Sequence, residues 1–211
     1  MRKVASPWWL MGGCGATLLA ALAAPTLQVR LDNDDLRLDG DDLRVLAPAK
    51  FQFLSGKPLE KLKDGATLVY LAQLSLSATS DTTAPLIRPA VNRFVVSYDV
   101  WEERFSVTST ALERATAAHL SAQAAESWCL DHLPLGIDGV PRDKPFWVKL
   151  ELRAEDARDQ AAVFGQSGIS LTRLIEVFSN PARAQQMRWE ASGGPLRLDD
   201  LKRERRSSRS G

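Results

Sequence analysis

Arg93-Phe94-Val95-Val96-Ser97-Tyr98-Asp99-Val100-Trp101-Glu102-Glu103-Arg104-Phe105-Ser106-Val107 decides the fold class. Phe94, Val96, Tyr98 and Val100 alternate with Arg93, Ser97 and Asp99, so one face of an extended segment is apolar and the other polar. The apolar set resumes at Phe105 and Val107 after a tight connection around Glu102-Glu103. Two strands so joined form an antiparallel hairpin.

Upstream, Leu68, Tyr70, Ala72, Leu74 and Leu76 share one face of a long strand, with Gln73, Ser75 and Ser77 on the other. Ser80 to Pro89 is rich in Ser, Thr, Asp and Pro and reads as the loop between this strand and the hairpin. Ser55 to Asp64, closed by Gly65, predicts a short helix, and Phe51 with Phe53 predicts another strand. Nearer the start is a repeated heptad, Leu31-Asp32-Asn33-Asp34-Asp35-Leu36-Arg37 followed by Leu38-Asp39-Gly40-Asp41-Asp42-Leu43-Arg44. Its acidic stretches are expected to join short strands of a meander, with Asp39-Gly40 as the better turn because glycine accepts positive φ.

Downstream, Thr110 with Glu113 three residues on has the form of a capping box, which predicts a helix running to Leu133, before Pro134. Ala117, Leu120, Ala124, Ala125, Trp128 and Cys129 would be its apolar stripe, laid across the sheet. Phe146, Val148, Leu150 and Leu152 alternate with Trp147, Lys149, Glu151 and Arg153 in the next strand, which implies one buried face and one open or differently covered face. Ser170 to Ser179 predicts a second helix ended by Asn180-Pro181. Trp189 and Leu196-Leu198, around Ser192-Gly193-Gly194-Pro195, predict a last hairpin. The sum is α+β, an antiparallel β-sheet or sandwich-like β domain with a long helix packed on it.

Hydrophobic residues make up 45% and charged residues 25% of 211, an ordinary globular composition that fits neither a collagen-like nor a multispan membrane chain. Met1-Arg2-Lys3, an uncharged stretch from Val4 to Ala24 and the small residues Ala21-Leu22-Ala23 form a signal-peptide pattern, cleaved near Ala24. The alternatives are an inner-membrane anchor over residues 4–24 and a lipoprotein signal at Met11-Gly12-Gly13-Cys14. The chain thus divides into a leader at 1–24, a single mostly β domain at 25–201 and a disordered basic tail at 202–211. Residues 25–201 hold 20 basic and 25 acidic side chains, net −5, and an acidic body repels phosphate backbones, so nucleic acid is not expected as a partner. With Cys14 in the leader, Cys129 stands alone, no internal disulfide closes, and Cys129 reads as a small buried hydrophobe on a helix.

The segment Arg93 to Val107 resembles a stretch in a family of exported bacterial proteins that carry a domain of unknown function. The likeness extends from about Leu43 to Arg153 through the order of strands, the long helix and the strand after it. What it implies is a periplasmic or other cell-envelope protein. It supplies no catalytic residues.

Six aspartates, Asp32, Asp34, Asp35, Asp39, Asp41 and Asp42, are the oxygen-rich residues that Ca²⁺ prefers, but they match neither an EF-hand loop nor a calcium-binding nonapeptide repeat, so solvated turns are the expectation. Cys129, His132 and His119 fall short of a zinc ligand set, and no metal or cofactor is expected. Gly165-Gln166-Ser167-Gly168 lacks the arrangement of a serine nucleophile elbow. Glu102 and Glu103, adjacent at a turn, diverge in extended backbone and are not expected to act as a catalytic pair.

Trp101 and Trp147 fall on the strand faces opposite the regular apolar sets. The first expectation is that a helix or second sheet covers them as core. The second is that they form ligand-binding surface, stacking on a sugar or anchoring a partner. The basic tail around Arg203, Arg205, Arg206 and Arg209, or the leader, would give at most weak membrane association. With no enzyme signature, the expected function is a noncatalytic envelope protein acting on another envelope protein as an interaction or binding module. The alternatives are a glycan hydrolase built from dispersed carboxylates and a carrier of a small ligand or lipid.

Overall fold

The computed structural model describes residues 27–48, 50–80, 85–111, 114–155 and 187–203. The leader, Cys14, Glu113, the serine at 167, the helix expected at 170–179 and the tail beyond 203 lie outside the described residues. Among the described residues eleven strands form two sheets. β1 (Leu27–Arg30), β4 (Leu68–Ser77), β5 (Ala90–Asp99), β6 (Arg104–Ser109), β7 (Thr116–Leu120), β9 (Phe146–Ala154) and β10 (Arg188–Leu196) build a seven-stranded sheet in the order β1-β10-β9-β4-β5-β6-β7. The second sheet joins β11 (Lys202–Arg203), β2 (Leu36–Asp39), β3 (Asp42–Val45) and β8 (Leu135–Gly136) in that order. All pairings are antiparallel except β1 with β10 and β11 with β2.

The result is a mostly β, sandwich-like fold. Tyr70, Ala72, Leu74 and Leu76 of β4 share a face with Phe94 and Val96 of β5 and with Val148, Leu150 and Leu152 of β9, and Leu36, Leu38, Leu43 and Val45 of the second sheet close on them in one buried cluster. The hairpin of β5 and β6 is in register from Phe94 with Ser109 to Asp99 with Arg104, as the alternation predicts. The short helix is present as α1 (Lys57–Lys63), followed by Gly65 at φ 85°.

The long helix is not present. The segment from Thr110 to Leu133 divides into β7, paired to β6, and α2 (Ala122–Asp131). Ser121 caps α2 by accepting the Ala124 N–H at 3.2 Å. Helix propensities differ by less than about 1 kcal/mol per residue among ordinary side chains, so Thr116-Ala117-Ala118 yields to the unpaired edge of β6, whose backbone groups it satisfies. The Thr108 and Thr116 hydroxyls meet across that pair at 3.1 Å. The helical spacing of Ala117 with Ala124 is thus coincidental.

Three further expectations are corrected. Phe51 and Phe53 are buried but in no strand; the Leu54 N–H that follows them donates to the Glu126 carboxylate of α2 at 2.7 Å instead of to a ladder. The two heptads are not equivalent. The second makes the β2–β3 hairpin, with Gly40 at φ 66°, while the first carries the chain through a 3-10 turn at Asn33–Asp35 from β1 in one sheet to β2 in the other. Finally, Ser192 to Pro195 is no turn, because β10 runs straight through it between β9 and β1, with a register shift between Gly193 and Leu196 where proline has no N–H to donate.

Candidate functional site

Three places concentrate chemistry. The first is the hairpin turn Val100 to Glu103. The Asp99 carboxylate accepts the N–H groups of Trp101 at 2.8 Å and Glu102 at 3.1 Å, a side-chain mimic of a backbone turn. Glu102 meets the His119 ring nitrogen of β7 at 2.6 Å, and Glu103 takes the left-handed conformation at φ 53°, which non-glycine residues adopt only where surroundings hold them. On this braced turn Trp101 is 94% exposed and Val100 50% exposed. The expectation that Trp101 is core does not hold: the residue lies past the end of β5, where neither sheet nor helix covers it.

The second place is the face of the seven-stranded sheet away from the core. Strand alternation puts Lys149, Glu151 and Arg153 there on β9, beside Ser192, Glu190 and Arg188 of β10. Glu151 is the hub. Arg188 approaches it at 2.9 Å and Lys149 at 3.4 Å, and Arg153 donates to it through Nε at 2.6 Å. Arg188 and Lys149 also pair with Glu190. Farther along, Arg93 of β5 and Glu155 pair at 2.6 Å. Glu151, Arg153 and Glu155 are buried. Burial lowers the Arg153 pKa from its ordinary value, and the Glu151 carboxylate opposes that shift. Glu151 and Glu190 are cross-strand neighbours, near enough in principle for a pair of acid-base carboxylates. Both are tied into cations rather than turned to a cleft, so the arrangement is an ion-pair lattice. The sequence signal for it was the run Lys-Leu-Glu-Leu-Arg at 149–153, but its partners on β10 are 35 or more positions away and unreadable without the pairing.

The third is a cleft of about 390 Å³ lined by Val29, Arg30, Ser80, Trp147, Val148, Ser192, Gly193 and Gly194. Trp147 is half-buried, between the two expectations held for it. Gly194 is at φ 142°, and a Cβ there would lie 2.5 Å from the Trp147 Cδ1, so the indole rests on bare backbone. A Cβ on Gly193 would overlap the Leu31 carbonyl oxygen. This glycine pair serves close approach rather than a turn.

The two tryptophans do not form one site. Trp147 pairs with Ser77 at one end of β4, while Leu68 at the other end pairs with Val96, three residues before Asp99. The length of β4, roughly 30 Å at 3.3 Å per residue, separates them.

The remaining candidates resolve into structural contacts. Asp34 pairs with Lys202 at 2.8 Å, Asp39 with Arg44 at 3.1 Å, and Asp35 accepts the Asp32 N–H at 3.0 Å. Lys202 and Arg203, read from sequence as tail, sit in β11. Among the described residues no three His, Cys, Asp or Glu side chains converge as a metal would require. His119 is on β7, and His132 is the C-cap of α2, its ring stacked on Trp128 at 3.8 Å. Cys129 is fully buried on α2, and burial pushes its thiol pKa up, away from reactivity. Among the described residues no helix is long and apolar enough to cross a membrane. No protein-family model, curated protein or solved structure matches the chain.

Proposed function

We propose that this chain is an exported, noncatalytic protein of the cell envelope that works as a protein-interaction module, with Trp101 as its anchor. The observation that carries the reading is the near-complete exposure of a tryptophan on a turn fixed by Asp99 and by the Glu102–His119 pair. A large indole in water is unfavourable by roughly 2 kcal/mol relative to burial. Interfaces draw their energy from such aromatic anchors, and a turn already organised by the Asp99 bonds to its backbone loses less entropy on binding. Export rests on the charged start and apolar run of the first 24 residues and on the resemblance at Arg93 to Val107.

The test is recovery of the full chain, tagged after its last residue, from the envelope fraction, as wild type and as Trp101→Ala. One protein should accompany the wild type and bind the variant at least ~30-fold more weakly, the effect of losing about 2 kcal/mol at a hot spot. Undiminished recovery with the variant, or the whole product found unprocessed in the soluble cytoplasm, would refute the proposal.

A further inference from the structure

The cleft at Trp147 is independent of the Trp101 turn and has a chemistry of its own. Of its lining residues Val29, Val148 and Gly193 are buried, so its more open lining comes from Trp147, Ser80, Ser192, Gly194 and Arg30. That mixture of one flat apolar face and scattered hydrogen-bonding groups matches a pyranose ring, whose C–H face is apolar and whose rim is hydroxylated. It does not match an aliphatic ligand, which would need more exposed hydrocarbon.

Charge narrows the class. Among the described lining residues Arg30 is the charged one. Its pairing with Asp32 is long, at 3.6 Å, with both side chains largely exposed, and such a surface pair is worth too little to hold the guanidinium against a carboxylate arriving on the ligand. The indole packs against Gly194 without any ligand, and that contact removes part of the ordering cost of binding.

We propose that this cleft binds a sugar residue bearing a carboxylate, with the ring on the Trp147 indole, its hydroxyls on Ser80 and Ser192 and its carboxylate on Arg30. Among the described lining residues there is no acid-base carboxylate pair, and the proposal is one of binding rather than cleavage.

The test is a nuclear magnetic resonance titration of the full chain, following the tryptophan indole N–H signals, with methyl β-glucuronide and methyl β-glucoside as probes. The Trp147 signal is expected to move and saturate with the glucuronide, with the neutral glucoside binding at least about tenfold more weakly, as loss of one charge-assisted hydrogen bond implies. Arg30→Ala, at an exposed position, should bring the glucuronide down to the glucoside level. A Trp147 signal that stays in place with both sugars, equal affinity for the two, or an equal response from Trp101 would overturn the proposal. None of these outcomes bears on the Trp101 partner, so the two readings fail separately.

Discussion

Glu126 of α2 is buried, and its carboxylate holds the segment after Phe53 through the Leu54 N–H at 2.7 Å. Burial raises its pKa above the ordinary 4.5, against the opposing pull of the Leu54 and Phe53 N–H groups. A carboxyl with a raised pKa holds its proton more tightly in the folded chain than in the unfolded one. Its contribution is therefore favourable below the ordinary value and is lost as pH rises from there through the raised value. Glu126→Gln, which stays neutral, should gain on the wild type between about pH 4 and about pH 7 in urea unfolding; an unchanged difference would show that burial does not shift the carboxyl, and a reversed one that the carboxylate is the preferred form inside. Glu126→Ala should lose about 1–3 kcal/mol at either pH, since it strands buried N–H groups. Gly194→Ala adds a Cβ 2.5 Å from the Trp147 indole at φ 142°. It should cost about 1–3 kcal/mol in thermal unfolding and shift the Trp147 indole signal. None of this was legible in Glu126 or Gly194 as letters. The glycine pair in fact misled, because Gly-Gly-Pro is turn chemistry until a third strand is known to press against it.

The elements that sequence reads well are those whose pairing is local. The β5–β6 hairpin and the β2–β3 hairpin follow from alternation and a short connection, and both stand where the periodicity puts them. The segment 110–133 fails for the opposite reason: alanine-rich spacing satisfies a helix, yet β7 forms because β6 presents an unpaired edge that no local pattern reveals. The ion-pair lattice lies between these cases. Period two exposed Lys149, Glu151 and Arg153 as one face, and only the β9–β10 register supplied Arg188 and Glu190. Removing the hub of a buried ion cluster leaves charges unpaired. Glu151→Ala, facing Lys149, Arg153 and Arg188, should thus destabilise by about 3–5 kcal/mol in urea unfolding, whereas the exposed Asp34→Ala should have an effect within about 0.5 kcal/mol. Equal effects from the two would mean that the lattice is a solvated face.

Across the whole molecule, two sheets share one core, and the charged outer face of the larger sheet separates two aromatic sites at opposite ends. The sequence named both tryptophans but not their separation, because distance along β4 depends on which strands flank it. One end presents an exposed indole, and the other holds a half-buried indole in a cleft of about 390 Å³. The interaction module proposed above would need no more than such surfaces on the two-sheet frame. The most direct test of the central claim is photo-crosslinking in the envelope from a reactive amino acid placed at position 101, with the exposed Arg142 position as comparison. The account predicts one discrete cross-linked protein from position 101 and none in common with position 142. The same products from both positions, or none from position 101, would contradict it.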